Sequence, residues 1–387
     1  MLHSYVADLH IHIGRDMYDR PVKITASNKL TLTAILKEAS RNKGVDVVGV
    51  IDCQSPGVLE EIQGLIDLGL AHELTEGGIQ FEKVTLLLGS EIEVYDEACH
   101  GPIHVLCYFP TLQTISLFSR WLCTKMKNST LSSQRFYGTG IELQQKVKEL
   151  AGIFIPAHVF TPFKSLYGKG VQQSLTEVFS PLLIDGIELG LSSDTHMADQ
   201  IKELHHYTYL TNSDAHSLGK IAREYQLINM KTPSFTELLW ALRKQNGRRI
   251  IKNYGLNPKL GKYYTTVCGN CYNRVSTDVE SCPLCHSKKI IKGVSDRIRE
   301  LCDVNGQKVS RPPYTYQVPL DYLPGLGKKT YAKLLQEFGT EMNVIHKASR
   351  EELMNVIPEK LAQSIIDMRQ GLLTIREGGG GRYGSVR

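Results

Sequence analysis

The sequence contains no apolar run of the roughly 18 residues that a membrane-spanning helix needs, although 42% of its 387 residues are hydrophobic. The first residues, MLHSYVADLHIH, lack the basic start and the apolar stretch of a secretion signal. The nine cysteines are an odd number, which without such a signal argues against a framework of disulfides. These absences predict a cytoplasmic protein with reduced thiols and no membrane partner.

Charge is distributed unevenly along the chain. Residues 1–239 carry 20 Lys and Arg against 27 Asp and Glu, whereas residues 240–387 carry 25 against 13. An acidic first part suits metal chemistry, and a basic second part suits a polyanion such as a nucleic acid. The alternative is that the basic surface only aids solubility.

The first 250 residues alternate short apolar strands with amphipathic helices. We interpret as strands SYVADLHIHI, VDVVGVID, VTLLLGSEIEVY and IHVLCYF, among others, and as a glycine-capped helix TLTAILKEASRNK, which ends at Gly44. Repeated β–α units of this size predict a parallel sheet with crossover helices. Their number favours a barrel over an open sheet.

Residue types that bind metals follow the predicted strands. They occur in DLHIH, IDC, GSEIE, IPAH and NSDAH, at downstream strand ends, while His104 lies near the start of a strand. Strand ends converge on one rim of a β/α barrel, so these groups can share a site. Mixed imidazole and carboxylate ligands suit a hydrolytic metal site. The candidate ligands are Asp8, His10, His12, Asp52, Cys53, Glu91, His104, His158, Asp214 and His216.

This set of motifs resembles the polymerase-and-histidinol-phosphatase (PHP) superfamily of phosphoesterases. DLHIH, GSEIE and NSDAH match its motifs in order over residues 1–250. The resemblance implies a distorted seven-stranded β/α barrel with two to three divalent ions on its rim, zinc, manganese or magnesium. It also implies hydrolysis by a water molecule that these ions activate.

Carried over to this sequence, the resemblance implies two catalytic ligand sets that share one carboxylate. The first ion would be held by His10, His12, Glu91 and Asp214, and the second by Glu91, His104 and His158. Glu188 and Glu93 are candidates for supporting these ligands from behind. The alternative for each is a carboxylate that is exposed, or that lies behind the ligands without a role of its own.

A third ion would use His216, and here the sequence departs from the family. The second family motif is usually Thr-Asp-His, whereas this chain has Ile51, Asp52 and Cys53. Cys53 is one candidate to replace that histidine, and its alternative is a small buried residue, a common role for free cysteine. The other candidates are Asp16 and Asp19.

Two CxxC pairs, Cys268–Cys271 and Cys282–Cys285, are separated by ten residues. Two such turns complete a tetrahedral four-thiolate zinc site. Residues 252–300 contain few apolar side chains and cannot build a core without a metal. We therefore predict one structural zinc ion, whose binding contributes about 10 kcal/mol or more to local folding. A redox-active CxxC pair is the alternative.

The segment LPGLGKKT, followed by YAKLLQEFG, resembles the helix-hairpin-helix motif of DNA repair and replication proteins. Its glycines permit a tight turn, and the next helix offers free N–H groups and two lysines to a phosphate. Such contacts ignore base identity. A glycine-capped turn without DNA contact is the alternative, and ELMNVIPEKLAQSIIDM resembles a degenerate second copy. The predicted DNA-binding residues are Gly325, Gly327, Lys328, Lys329 and Thr330.

The order of these parts resembles the endonuclease Q family over nearly the whole chain. The predicted fold class is α/β, a PHP barrel followed by a small four-cysteine zinc-binding domain and an all-α helix-hairpin-helix module. The predicted bounds are 1–251 for the barrel, 252–300 for the zinc-binding domain, 301–317 for a linker, 318–374 for the helical module and 375–387 for a disordered glycine-rich tail.

The resemblance implies incision of DNA on the 5′ side of a deaminated base (uracil, hypoxanthine or xanthine) or an abasic site. Chemistry directed at one base of a duplex requires that base to leave the stack. Phe160, Phe163 and Tyr167 are candidates for its pocket, with core packing as the alternative.

The expected partner is double-stranded DNA with damaged bases, with single-stranded DNA as a second form and repair or replication proteins as further partners. The expected state is a monomer. Two other functions remain open: a PHP-type phosphatase of a small phosphoester, and a DNA-binding protein without enzymatic activity.

Overall fold

The structure is a computed structural model that describes residues 1–304, 309–379 and 382–386. The strands are β1 (His3–Ile11), β2 (Val47–Val50), β3 (Ala71–Glu73), β4 (Ile79–Phe81), β5 (Val84–Val94), β6 (Ile103–Phe109), β7 (Arg135–Phe136), β8 (Ile153–Pro156), β9 (Ile187–Glu188), β10 (Tyr209–Leu210), β11 (Tyr225–Met230), β12 (Arg249–Gly255), β13 (Val267–Cys268), β14 (Ile290–Ile291), β15 (Tyr314–Tyr316), β16 (Ile375–Arg376) and β17 (Ser385–Val386). The helices are α1 (Leu32–Lys37), α2 (Pro56–Asp67), α3 (Leu112–Cys123), α4 (Gly140–Glu149), α5 (Thr195–Ala198), α6 (Phe235–Leu242), α7 (Val294–Leu301), α8 (Lys328–Phe338), α9 (Glu341–His346), α10 (Arg350–Met354) and α11 (Glu359–Gln370). Within these ranges, no helix has both the length and the apolar character that a membrane crossing requires.

Strands β1, β2, β5, β6, β8, β9 and β10 form a ring. β1, β2 and β5 are parallel neighbours, and β6 pairs antiparallel with both β5 and β8. The N–H of Val159 donates to Glu188 (3.0 Å) and joins β8 to β9, which pairs with β10. The ring closes where the N–H of Ala215, beyond β10, donates to the carbonyl of His10 in β1 (3.1 Å).

The predicted seven-stranded barrel is confirmed, but the prediction that its sheet is wholly parallel is wrong at β6. β6 runs against its neighbours, and His104 near its start pairs with Glu93 near the end of β5. Because an antiparallel strand begins where its neighbours end, the start of β6 lies on the same rim as their downstream ends. This direction brings His104 to the other candidate ligands.

Apolar side chains from six strands of the ring meet in one buried cluster. Side chains from strands all around a ring can pack together only in its interior, so this cluster fills the barrel. A second and larger cluster includes the apolar faces of the surrounding helices. The interior side chains include Leu9, Leu87, Leu106, Ile155 and Leu210.

The sheet continues beyond the ring through β11, β12 and β15. β12 crosses the predicted domain boundary at 251/252, and β15 lies inside the predicted linker 301–317. The linker prediction is wrong for Tyr314–Tyr316, because parallel pairing with β12 satisfies backbone groups that a linker would leave to water. Residues 305–308 of that linker lie outside the described residues.

The helical module α8–α11 is joined to the barrel domain by buried polar contacts. Nζ of Lys43, the last residue of the π-helical segment Glu38–Lys43 that continues α1, lies 2.5 Å from Oε2 of Glu341 in α9, and both side chains are almost completely buried. The Tyr225 hydroxyl in β11 lies 2.5 Å from Nε2 of His346. These contacts fix the module against the barrel instead of leaving it on a flexible tether.

The glycine-rich tail predicted as disordered is ordered where the structure describes it. β16 pairs with β17, and the N–H groups of Gly378 and Gly384 donate to the carbonyls of Lys259 (2.8 Å) and Leu260 (2.9 Å). A Cβ atom on Gly384 would lie 2.3 Å from the carbonyl oxygen of Arg376. Glycine is therefore required here by close backbone packing. Residues 380–381 and 387 of this tail lie outside the described residues.

Candidate metal centre

Two groups of potential metal ligands lie side by side on the barrel rim. The first consists of His10, His12 and Asp214, whose ligand atoms all lie within 4.8 Å of one another. Nε2 of each histidine lies 3.4 Å from Oδ1 of Asp214. The two histidines reach the same site because alternate side chains of an extended strand share a face. Asp214 comes from the loop that follows β10.

The second group consists of Glu91, His104 and His158. Oε1 of Glu91 lies 2.9 Å from Nδ1 of His104 and 3.4 Å from Nε2 of His158. The same oxygen lies 3.5 Å from Nε2 of His10 in the first group. Glu91 therefore lies between the two groups, in the position of a shared carboxylate.

These separations fit metal coordination. Ligand atoms about 2.0–2.1 Å from a tetrahedral zinc ion lie about 3.4 Å from one another, the separation found between each histidine of the first group and Asp214. Among the described residues, the buried Nε2 of His10 has no hydrogen-bond partner, a costly state that a bound cation removes. When bound, divalent ions acidify water and stabilise charge on a phosphodiester.

Carboxylates behind the ligands orient the imidazole rings. Nδ1 of His10 lies 3.0 Å from Oε1 of Glu188, and Nδ1 of His12 lies 3.1 Å from Oδ2 of Asp52. Each contact leaves Nε2 facing the cluster, the usual way in which a carboxylate prepares a histidine for a metal. Burial alone raises the pKa of Asp52, but the charge and the hydrogen bond of His12 outweigh it and bring that pKa below its ordinary value. Asp52 thus supports His12.

Glu93 supports the other end of the cluster. Its Oε2 lies 3.7 Å from Nε2 of His104 and 2.8 Å from Nζ of Lys164. Burial raises the pKa of Glu93, but the nearby His104 and Lys164 outweigh this effect and lower the pKa to about 2. Of the two supporting carboxylates suggested by the sequence, Glu188 is in closer contact with a ligand.

Asp8 lies behind the cluster and belongs to neither group. Its carboxylate accepts hydrogen bonds from the backbone N–H of Ser213 (3.0 Å) and of Ala222 (2.8 Å). Asp8 therefore fixes the loop that carries Asp214. The structure gives it this supporting position instead of the predicted ligand position, because its oxygens are already used by backbone donors.

His216 lies beside the first group, with its ring centroid 4.6 Å from that of His12. Cys53, proposed as its companion, is buried in an apolar cluster, where its thiol donates to the carbonyl of Val50 (3.1 Å). Burial raises the pKa of this thiol, which disfavours the thiolate that a metal requires. Cys53 is therefore a core residue.

The other two candidates do not join His216 either. Asp16 accepts a hydrogen bond from Nε of Arg20 (2.8 Å) and holds its own turn. Asp19 is exposed, and its carboxylate lies 3.4 Å from the guanidinium of Arg15. In the part of the chain that the structure describes, no third group of three ligand atoms forms around His216.

Lys23 and Ser133 border the cluster and were not among the residues that the sequence analysis identified. Nζ of Lys23 lies 3.2 Å from Oε2 of Glu91 and 2.6 Å from Oγ of Ser133. The Ser133 hydroxyl also donates to Glu91. Both residues come from segments without a metal-binding spacing, so only the folded chain identifies them.

Two ligand residues have left-handed backbone conformations, His158 with φ of 31° and Asp214 with φ of 45°. Such conformations cost about 1 kcal/mol or more and persist where surrounding contacts hold them. The N–H of His158 donates to Glu188 (2.9 Å), and the carbonyl of Asp214 accepts from Arg223 (3.2 Å). These contacts hold both ligand residues in their left-handed conformations.

The four cysteines of the two CxxC pairs form a separate candidate metal group. Sγ of Cys268 lies 3.5 Å from that of Cys285, and Sγ of Cys271 lies 3.6 Å from that of Cys282. A disulfide would bring sulfurs to about 2.05 Å, whereas four thiolates around zinc lie about 3.8 Å apart. The geometry fits a tetrahedral metal site.

The predicted DNA-binding hairpin leads directly into α8. Gly325 has φ of 90°, and Gly327 precedes the helix without a side-chain hydrogen bond to its first N–H groups. Lys328 and Lys329 are exposed, and Thr330 is partly exposed. Within the described ranges, a Cβ on either glycine would have no neighbouring atom within 4 Å. The start of α8 is therefore accessible to a phosphate group.

The second hairpin lacks such a start. Oε1 of Glu359, the first residue of α11, lies 2.6 Å from Nη2 of Arg350 in α10. A carboxylate at this position repels phosphate and satisfies the positive end of the helix itself. This copy is therefore suited to packing.

No protein-family model matches the chain. The uncharacterised protein YqxK of Bacillus subtilis is 53% identical over 381 residues, which is 98% of each chain. Among solved structures, the lesion-specific endonuclease PfuEndoQ from Pyrococcus furiosus has a TM-score of 0.85 and 32% identity, covering 100% of this chain and 95% of that one. The chain belongs to the endonuclease Q family. A solved complex of Endonuclease Q with a 27-mer duplex substrate, which has an abasic lesion at the active site, also has a TM-score of 0.85 at 32% identity, covering 100% of this chain and 96% of that one.

A cavity of about 260 Å³ opens beside the candidate metal ligands of this endonuclease Q chain. His158, Glu188 and Asp214 line its barrel side, and Phe163 lines another side. Phe163 thus lines this cavity, and its role in a base pocket stays a prediction. The other two predicted aromatic residues, Phe160 and Tyr167, are buried in the core, where their rings stack with centroids 5.5 Å apart.

Proposed function

We propose that this member of the endonuclease Q family is a DNA repair endonuclease. It hydrolyses the phosphodiester bond on the 5′ side of a deaminated base (uracil, hypoxanthine or xanthine) or of an abasic site. The observation that carries the proposal is the pair of imidazole–carboxylate groups that share Glu91, in a chain that matches a lesion-specific endonuclease over its whole length.

In this proposal, each ligand group holds one divalent ion, zinc, manganese or magnesium. His10, His12 and Asp214 bind the first, and His104 and His158 bind the second, with Glu91 between them. His216 lies close enough to contact the substrate or a further ion. Lys23 lies at the same rim, where an ammonium group can hold a phosphate oxygen of the cleaved strand.

DNA affinity is provided by the basic second half of the chain. The start of α8 offers backbone N–H groups and the exposed Lys328 and Lys329 to the phosphates of a duplex. The four cysteines bind one structural zinc ion, which folds a segment of low apolar content. The protein acts as a monomer in the cytoplasm.

Lesion selection is explained by eversion of the base into the cavity next to the ligands. Base-directed enzymes extrude their target nucleotide, and a poorly paired base costs less to extrude. The cavity borders His158 and Asp214, so a nucleotide placed there brings its phosphodiester to the ligand groups. Undamaged base pairs cost more to open, so their bases stay in the duplex and the strand beside them is not cleaved.

The decisive experiment uses end-labelled duplexes of one sequence that contain uracil, hypoxanthine, an abasic site or no lesion. We expect a nick immediately 5′ to each lesion, its abolition by a chelator, and its recovery when divalent ions are added back. Equal nicking of damaged and undamaged duplexes would contradict lesion recognition. Cleavage of a small phosphoester without nicking of any duplex would favour the phosphatase alternative.

The Asp214→Ala and His10→Ala variants test the metal groups. Each removes one ligand of the first group, and we expect loss of nicking with DNA affinity close to that of the wild type. Affinity is measured by fluorescence anisotropy on the uracil duplex. Nicking that persists in both variants would remove this cluster from the reaction.

A further inference from the structure

The described parts of the C-terminal tail, residues 375–379 and 382–386, are fastened next to the candidate active site. Nη2 of Arg274, in the four-cysteine domain, donates to the carbonyl of Gly378 (2.9 Å), and its Nη1 lies 3.3 Å from the carboxylate of Glu377. On the other side, the Gly378 and Gly384 N–H groups bind the 258–260 turn. The side chain of Val386 is buried. The tail is thus held from two directions.

This anchoring places Tyr383 in the wall of the cavity beside the metal ligands. Nζ of Lys262 lies 4.6 Å from the centroid of the Tyr383 ring and holds it by a cation–π contact. Phe163 and Tyr263 line the same cavity, with their ring centroids 5.3 Å apart. The Tyr383 side chain remains 38% exposed, so its ring is available to a ligand.

We infer that the C-terminal tail is part of the substrate site, where Tyr383 forms with Phe163 and Tyr263 an aromatic wall that contacts the everted lesion base. The inference rests on the proposed function. Aromatic rings stack on any base, because every base has a π face. Such a wall accepts uracil and the larger hypoxanthine alike, and it has nothing to contact at an abasic site.

The absence of a base at an abasic site provides the test. We expect Tyr383→Ala to lower kcat/KM on the uracil duplex about tenfold or more, with kcat/KM on the abasic duplex close to the wild-type value. Tyr383→Phe, which keeps the ring, should behave as the wild type on both duplexes. Tyr383→Leu, which keeps bulk without the aromatic face, should repeat the selective loss even if the alanine variant is unstable.

The matched control is Tyr5→Ala, at the start of β1 and so at the opposite end of the barrel from the ligands. It should leave the ratio of uracil to abasic cleavage unchanged. An equal loss on both duplexes in the Tyr383 variants, or no loss, would overturn the inference. A wild-type protein that fails to nick the uracil duplex would instead contradict the proposed function, so the two failures are distinguishable.

Discussion

At the residue scale, the position of Glu188 explains how the candidate metal centre is arranged by its own residues. Its carboxylate accepts from Nδ1 of His10 (3.0 Å), the backbone N–H of His158 (2.9 Å) and Nδ2 of Asn212 (2.7 Å). It therefore fixes one ligand of each group. Burial raises the pKa of Glu188, but the charge and hydrogen bond of His10 outweigh this and lower it. The carboxylate stays ionised and keeps the proton of His10 on Nδ1.

We expect Glu188→Gln to weaken metal binding about 10- to 100-fold, since loss of a supporting carboxylate reduces ligand basicity and orientation. The NH2 group of the glutamine side chain would also face at least one of the three groups that now donate to Glu188. Two donors cannot form a hydrogen bond with each other, so that contact would be lost. The measurement is metal titration of the metal-free protein, followed by nicking and by calorimetry. Nicking should recover at high metal concentration.

Glu61→Gln is the control for this substitution. Glu61 is a buried carboxylate that accepts from the N–H (3.1 Å) and the hydroxyl (2.7 Å) of Thr33, away from the ligands. Its loss should affect stability without changing metal affinity. If Glu188→Gln and Glu61→Gln bound metal equally well, the assigned role of Glu188 would be wrong.

At the element scale, α8 and α11 show how one sequence pattern leads to two different helix starts. Gly327 and two exposed lysines begin α8, whereas Glu359, paired with Arg350, begins α11. A helix start carries partial positive charge and unsatisfied N–H groups. The first start therefore remains suited to phosphate, and the second is already neutralised.

We expect Lys328→Ala/Lys329→Ala to lower DNA affinity similarly for all sequences and to reduce the salt slope of log K by about one to two units. For each phosphate contact that is lost, DNA binding releases about one counterion fewer. The measurement is anisotropy at several salt concentrations. Lys333→Ala, further along the exposed side of α8, is the control and should leave the slope nearly unchanged. An unaltered slope in the double variant would exclude the hairpin from DNA contact.

At the scale of the whole molecule, the buried pair Lys43–Glu341 connects the barrel domain to the helical module. Glu341 also accepts from the hydroxyl of Tyr331 in α8 (2.7 Å), and Nζ of Lys43 donates to the carbonyl of Gly219 (3.2 Å). Gly219 follows closely on the NSDAH segment that carries Asp214. The pair thus ties the proposed DNA-binding hairpin to the loop that holds a metal ligand.

We expect Lys43→Met to lower the free energy of unfolding by about 3–5 kcal/mol, because it leaves the Glu341 carboxylate buried without its cation. Lys43→Met/Glu341→Gln should recover part of this loss, since no unpaired charge remains. The measurement is denaturant unfolding followed by circular dichroism and by tyrosine fluorescence. Equal stability of the single variant and the wild type would show that the module is not held by this pair.

Local sequence patterns predicted the alternating β–α architecture, a shared face for His10 and His12, the four-cysteine group and the hairpin. Each of these depends on local patterns: alternation along β1 for His10 and His12, two CxxC turns, and glycines before a helix. The family resemblance supplied the assignment of distant residues such as Glu91 to a shared site. Family membership is confirmed by the full-length match.

Which neighbouring polar residues face the cluster, and which ones support it, depends on contacts that form only when the chain folds. Asp8 and Cys53 lie in motif segments, but Asp8 accepts hydrogen bonds from backbone N–H groups and Cys53 is buried in the core. Lys23 and Ser133 border the cluster although they come from loops without a motif. The tail is the clearest case. A glycine-rich sequence can be a free, disordered chain or a backbone that packs closely against other segments, and its composition does not distinguish the two. The described part of this tail is ordered because folding brings hydrogen-bond partners to its glycines.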